Sequence, residues 1–172
     1  MNTFECIRAR RSVRAFLPAP VEPEKLDAIV QAALYAPVGM RAYETMHLTV
    51  VTDKAALDRF TAMARAQAGD AQADPIHGAP ALIVVSVSRP EPVPFANAAC
   101  MIENMLLAAT ELGLGSLYVC GAVNALRDSA DFRALLRLPA GFVPVGSAAI
   151  GYAESAPAPR PLQNTVTQVD RV

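Results

Sequence analysis

The chain has 172 residues, of which 53% are hydrophobic, and carries 15 basic against 16 acidic side chains for a formal net charge of -1. This length predicts one domain with a substantial core, and the near-neutral charge excludes bulk attraction to nucleic acid or an anionic membrane. The longest apolar run, near residues 79–85, is far shorter than the roughly 20 residues of a membrane helix, and the amino terminus has no signal-peptide core. We therefore expect a cytoplasmic protein.

The cysteines and histidines show no pattern typical of a disulfide framework or a metal site. Cys6, Cys100 and Cys120 are odd in number and widely spaced, so we expect reduced, buried thiols. His47 and His77 are isolated, and a structural or solvated role is the simpler interpretation than metal binding.

The first predicted helix is short. Asn2 can cap it and Glu5 can complete a capping box, with Phe4 and Ile7 as its buried side. Four arginines then fall within seven positions. Together with Ser12 they form a cluster: Arg8, Arg10, Arg11, Ser12 and Arg14. Two interpretations stay open from these residues alone, namely a solvated helix end and a phosphate site.

The middle of the chain alternates predicted helices and strands. A second helix carries Leu26 to Leu34 and ends before Pro37, and an exposed loop around Gly39 leads to a strand at 46–51. Asp53 caps a third helix that fades into a polar segment, 67–74, which we expect to be mobile. The β-branched run at 81–87 predicts a central strand buried on both faces.

The stretch from Asn97 to Ser116 predicts a long core helix closed by Gly113 and Gly115, after prolines that break the chain at 90–94. A strand at 117–120 follows at once. These glycines almost match a dinucleotide-binding motif, but they follow a helix rather than a strand, so we reject that interpretation. Near this turn, Ser116 and Cys120 are better explained as packing residues than as nucleophiles.

The last core elements are a helix through Phe132 to Leu136 and a strand at 143–152. The order of elements indicates a layered α/β or α+β domain over residues 1–152. Residues 153–172 change in composition, with three prolines between Glu154 and Pro161, and are predicted to form an arm that docks on another surface.

Several blocks of residues, in order along the chain, carry a family resemblance. They are residues 10–16 (RRSVRAF) followed by 20–21 and 36–37, residues 102–109 with 112–116, residues 138–145 with 150–152, and residues 159–162. Together they resemble the FMN-dependent nitroreductase family. The resemblance implies an α+β fold of three layers (α/β/α), with a mixed, mostly antiparallel central sheet, and an obligate homodimer in which the arm docks on the partner.

The resemblance also implies where FMN binds. The phosphate and ribityl chain would be held by Arg10, Arg11, Ser12 and Arg14, with Arg160 closing the site from the arm. The ring would face a loop, in this family usually the partner subunit's, formed by Pro37, Val38, Gly39, Met40 and Arg41. Its edge would lie along Val119, Cys120 and Gly121. The loop departs from the family pattern of Asn and then Gln-Pro-Trp, so Arg41 is either a contact to the pyrimidine edge or a solvent-exposed residue.

The implied activity is an NAD(P)H oxidoreductase that uses FMN, with NADH or NADPH as donor and a nitroaromatic, quinone or similar electron-poor acceptor, in ping-pong order. Other reactions of the family, such as reductive dehalogenation, are not singled out by any residue. The alternatives are a flavin carrier or sensor without efficient turnover, and an arginine-rich surface for a polyanion.

Overall fold

The computed structural model describes residues 1–156 and residue 170. Within this part of the chain the elements are α1 (Thr3–Ala9), α2 (Pro23–Leu34), β1 (Met46–Val51), α3 (Lys54–Ala68), β2 (Ala81–Val87), α4 (Pro92–Glu111), β3 (Gly115–Val119), α5 (Gly121–Ala125), α6 (Ala130–Leu135) and β4 (Val143–Gly151). The predicted arm beyond residue 156, apart from residue 170, lies outside the described residues.

The sheet is antiparallel, in the strand order β1-β2-β4-β3. A cluster of buried side chains from α2 and α4 packs on one face, and a second cluster from α3, α5 and α6 packs on the other. Every residue of β2 is buried, as the sequence predicts for a central strand. The predicted three-layer α+β fold is therefore confirmed, and its parallel component among the described residues is a single bridge between Ser12 and Ser116.

Helix α4 begins earlier than the sequence suggested. Pro92 and Pro94 do not break the chain but lie in the first turn of α4, where backbone N–H groups have no intrahelical acceptor to lose. Gly113 has a φ of 73° and ends the helix as predicted. Gly115 serves a different purpose, because a Cβ on it would lie 2.9 Å from Val13 Cγ2. It permits close contact between the first segment of the chain and β3.

Among the described residues, α4 is the helix that could cross a membrane by length and composition, with a mean hydropathy of 1.2. Its apolar side chains belong to the buried cluster that α4 forms with α2 and the sheet. The central helix of a globular domain meets the same two criteria, so the match carries little weight.

The predicted capping box at α1 is confirmed, since Asn2 Oδ1 accepts from Glu5 N at 3.0 Å and Glu5 Oε2 accepts from Asn2 N at 2.8 Å. The predicted buried side of α1 is wrong. Phe4 is 72% exposed and Ile7 is exposed, whereas Cys6 is buried and its thiol donates to Leu107 O of α4. In a helix of only two turns, the element against which the helix packs decides which side is buried. The pattern of apolar residues does not decide it.

The carboxyl-terminal third of the domain contains a helix that the sequence did not predict. Helix α5 spans only five residues, too few for a helical period to be recognised. The predicted helix through Phe132 is α6, which Ser129 caps and which ends one residue before Leu136. The expectation of buried thiols holds for Cys6 but is wrong for Cys100 and Cys120, which are exposed.

Tyr152, just after β4, ties the sheet to the start of α2. Its hydroxyl lies 2.7 Å from Glu22 Oε2 and 2.6 Å from Lys25 Nζ. The hydrogen bond from Tyr152 is the main cause that lowers the pKa of Glu22 below its ordinary value of 4.5. Because folding lowers this pKa, the Glu22 carboxylate stabilises the fold above about pH 4.5, and that contribution is lost as the pH falls through the folded value.

Replacing Tyr152 with Phe removes both hydrogen bonds and should lower the urea midpoint at pH 7. The difference from the parent protein should shrink as the pH falls below 4.5, where Glu22 takes up its proton in both proteins. Urea unfolding at several pH values measures this. Tyr43→Phe, at an exposed tyrosine, is the matched control. A deficit that stays constant over the whole pH range would contradict the assignment.

Candidate functional site

The arginine segment, residues 10–14, leaves α1 and runs beside β3. Val13 N donates to Ser116 O at 2.9 Å, and Ser12 forms the parallel bridge to Ser116. Val13 is buried against Gly115, so the side chains on either side of it, those of Ser12 and Arg14, are directed to solvent, as alternation in an extended chain requires. Packing of one valine thus presents a hydroxyl and a guanidinium at the same surface.

The three arginines of this segment differ in their electrostatic state. Arg10 forms an ion pair with Glu103 of α4, with 3.2 Å between Nε and Oε1. In the described part of the chain, neither Arg11 nor Arg14 has an acidic partner within 4.0 Å. The segment therefore carries two uncompensated guanidinium groups beside one that is paired, and these attract an anion.

Ser116, under the arginine segment, has an unsatisfied hydroxyl. The residue is buried, and its Oγ has no hydrogen-bond partner among the described residues. An unpaired buried hydroxyl costs about 1–3 kcal/mol, so such a group is typically matched by a water or a ligand. The guanidinium groups of Arg11 and Arg14 and the exposed Ser12 hydroxyl form a donor set that fits the phosphate and polyol chain of FMN.

The opposite end of β3 carries the segment 119–121. Val119 is buried, and its carbonyl accepts from Ser147 Oγ at 3.0 Å. Cys120 and Gly121 are exposed, and a Cβ on Gly121 would meet no atom within 4 Å. Since a strand rises about 3.3 Å per residue, Ser116 and Cys120 lie about 13 Å apart. An elongated ligand can thus lie along β3, with its anionic end at the arginines.

Tyr118 lies between these two ends. Its ring packs over Gly146 of β4, where a Cβ would lie 3.2 Å from Tyr118 Cε2, and the side chain is 40% exposed. Burial, and to a smaller extent the neighbouring Cys120 thiol, raises the pKa of Tyr118 above its ordinary value. The phenol is therefore protonated at neutral pH and presents an O–H donor.

The loop of residues 37–41 packs on the first turns of α4. Gly39 N donates to Asn97 Oδ1 at 3.2 Å, and Val38 is buried. Met40 and Arg41 have φ values of 57° and 55°, and Met40 is fully exposed. Left-handed backbone at non-glycine residues costs about 1–3 kcal/mol each and is typical of functional loops. Arg41 is exposed.

Helix α4 connects the parts of the site. Its first turns hold the loop through Asn97 and lie near α5, since Arg127, just after α5, lies 5.8 Å from the Phe95 ring centroid. Further along α4, Glu103 holds Arg10. Asn97 and Glu103 are six residues apart, which is about 9 Å along the axis.

The model of the nitroreductase family matches residues 7–152, the region that contains the arginine segment, the loop and the end of β3. The chain belongs to the nitroreductase family. This confirms the predicted resemblance and the predicted class of enzyme, an oxidoreductase.

Individual relatives agree with the family assignment. A Methanothermobacter thermautotrophicus protein, named as an NADH dehydrogenase/NAD(P)H nitroreductase, is 31% identical over 94% of this chain and 83% of its own. A Bacteroides fragilis nitroreductase with bound FMN has a TM-score of 0.86 at 29% identity, covering 99% of this chain and 100% of its own. A Desulfitobacterium hafniense nitroreductase with bound FMN has the same TM-score at 25% identity and the same coverages.

The structure places the described residues of the nitroreductase site predicted from the sequence in three groups. Arg10, Arg11, Ser12 and Arg14 lie at the start of β3, Val119 to Gly121 lie at its end, and the loop of Pro37 to Arg41 lies on α4. Arg160 lies outside the described residues. Ser116 packs as predicted, with no partner for its hydroxyl in the part of the chain that the structure describes, whereas Cys120 is exposed and is not a packing residue.

Sequence analysis missed two side chains of this site, Glu103 and Tyr118. Alternation in residues 117–120 could have singled out Tyr118, because it places this one polar aromatic residue opposite Leu117 and Val119. Nothing in the sequence pairs Glu103 with Arg10.

Proposed function

We propose that this nitroreductase-family chain is an FMN-dependent NAD(P)H oxidoreductase that reduces nitroaromatics, quinones or similar electron-poor acceptors in ping-pong order. The observation that carries the proposal is a pair of arginines, Arg11 and Arg14, that have no acidic partner within 4.0 Å among the described residues and that flank Ser12 and Val13, which are held against β3. Two relatives of this fold bind FMN, and another is named for NAD(P)H. We place the enzyme in the cytoplasm.

In this mechanism the bound FMN supplies the redox chemistry, accepting a hydride from the nicotinamide and passing electrons to the acceptor. The residues of the chain bind this cofactor and orient it. Arg11, Arg14 and Ser12 hold the phosphate, with Arg10 beside them and Arg160 as a further predicted contact. The amide N–H groups of Cys120 and Gly121 donate to the ring edge, where they stabilise negative charge. No side-chain acid or base is required by the site.

The proposal includes a homodimer over a single domain, residues 1–152, with the arm of residues 153–172 docked on the partner. Its support is a set of large apolar side chains exposed in one chain: Phe4, Ile7, Leu34, Tyr35, Met40 and Val93. They come from α1, the end of α2, the loop and the start of α4. Since α4 contacts each of the other three elements, these exposed apolar side chains border one layer of the fold, as residues of a protein interface do. Sedimentation that reports only an 18.2 kDa species would contradict it.

The visible spectrum of the purified protein, before and after anaerobic addition of NADH and then NADPH, tests the proposed function. We expect an oxidised-flavin spectrum that bleaches within the mixing time, followed by parallel double-reciprocal lines with a quinone as acceptor. A flavin spectrum that persists would instead identify a carrier or sensor. A colourless protein that also refuses added FMN would overturn the site.

A further inference from the structure

Asn124, on α5, joins the end of β3 to β4. Its side-chain amide nitrogen lies 3.1 Å from Cys120 O, 3.0 Å from Cys120 Sγ and 3.2 Å from Val145 O. The backbone N–H of Asn124 also donates to Cys120 O, at 2.9 Å. One side chain thus fixes both the backbone and the thiol of Cys120 relative to β4.

A second side chain fixes the preceding peptide. Ser147 of β4 is fully buried, and its hydroxyl donates to Val119 O at 3.0 Å. The carbonyls of Val119 and Cys120 are therefore both engaged, by Ser147 of β4 and by Asn124 of α5 respectively. In a planar trans peptide the C=O and N–H groups point in opposite directions. Because these two carbonyls are held toward β4 and α5, the next two amides, those of Cys120 and Gly121, are aimed away from these elements.

We propose that Asn124 is a positioning residue of the redox site, with Ser147 as its buried counterpart. Its function is to aim the N–H groups of Cys120 and Gly121 at the flavin ring edge. This inference rests on the proposed function, which places the ring along these amides. Donors at the ring edge tune the electronics of a flavin, so the orientation of the two peptides sets its potential and its rate of reduction.

Asn124→Leu tests the proposal, because the leucine side chain is similar in size and uncharged but donates no hydrogen bond, while the backbone bond from residue 124 to Cys120 O is kept. We expect the variant to retain FMN, since the arginine segment is unchanged. The oxidised-flavin absorption bands and the midpoint potential should shift, and anaerobic reduction by NADH should slow on the order of 10- to 100-fold, the scale of small misplacements in enzyme sites.

Asn104→Ala is the matched control. Asn104 on α4 makes the same kind of bond, from its amide nitrogen to Ala32 O of α2 at 2.9 Å, but it lies in the layer between two helices rather than at the end of β3. A merely structural asparagine should lower stability when removed and leave the spectrum, the potential and the rate of reduction unchanged. We expect this result for Asn104→Ala.

The possible outcomes distinguish failure of this inference from failure of the proposed function. Parent-like spectrum, potential and rate in Asn124→Leu would overturn the proposal, as would equal shifts in Asn104→Ala. If Asn124→Leu does not fold, Ser147→Ala applies the same test to the neighbouring peptide and should show shifts of the same kind, with parent-like values again counting against the proposal. A parent protein that binds no flavin would instead mean failure of the proposed function.

Discussion

Replacing Arg11 and Arg14 together with alanine is expected to leave a folded protein that no longer retains FMN. Neither side chain has an acidic partner within 4.0 Å among the described residues, so their charge is available to a phosphate. A hydrogen bond to a charged group contributes about 1.5–3 kcal/mol. Loss of two such contacts, about 3–6 kcal/mol, should raise the dissociation constant of FMN by about 10²- to 10⁴-fold.

The measurement is titration of flavin-free protein with FMN, followed by quenching of flavin fluorescence, with far-ultraviolet circular dichroism to verify the fold. Arg59→Ala combined with Arg89→Ala removes the same charge from exposed positions away from the arginine segment and serves as the control. The double variant at 11 and 14 should bind weakly and the control normally. Equal affinities for the two would show that the arginine segment does not hold the phosphate.

Replacing Phe132 with alanine is expected to cause the largest loss of stability, about 3–5 kcal/mol. Phe132 is 0% exposed and stacks on Phe60 of α3, with 5.3 Å between the ring centroids. It lies in the buried cluster that also contains Val123 of α5. Truncation therefore opens a cavity between α3 and α6, in the layer that supports the helix carrying Asn124.

Urea unfolding measures this effect as a lower midpoint with an unchanged slope. Phe132→Leu refills much of the space and should lose roughly half as much or less. A loss below about 1 kcal/mol in the alanine variant would mean that the cluster collapses into the cavity, contrary to the expectation that its packing around residue 132 stays in place.

The elements that were predicted correctly from the sequence are those whose structure depends on their own residues and on near neighbours in the chain. The β-branched run at 81–87 is suited to a strand buried on both faces, and the Asn2–Glu5 capping box and the Asp53 cap depend only on neighbouring residues. Helix α5 could not be predicted, because its five residues are stabilised by contacts to β4 rather than by a periodic pattern. The exposure of Phe4 was missed for a similar reason, since α4 contacts α1 through Cys6.

In the candidate site, too, the features carried by neighbouring residues could be predicted from the sequence, and the features that join distant residues could not. The arginine segment is contiguous in sequence, so its charge and its resemblance to a phosphate site were visible without a fold. The ion pair between Arg10 and Glu103 joins residues 93 positions apart, and the bond from Asn124 to Val145 crosses 21 positions. Such pairs exist only once the sheet and α4 have assembled, which is why sequence analysis found the charges but not the side chains that orient them.

The arginine segment has a second consequence, for the behaviour of the sheet. Among the described strands β3 lies at the edge, and its outer side is met by the bridge from Ser12 and by the hydrogen bond from Val13 to Ser116. An uncovered edge strand offers its backbone to a strand of another molecule and promotes aggregation. The proposed cofactor recognition and the protection of the chain against edge-to-edge association therefore involve the same short run of residues, and a substitution that displaces this run is expected to weaken both.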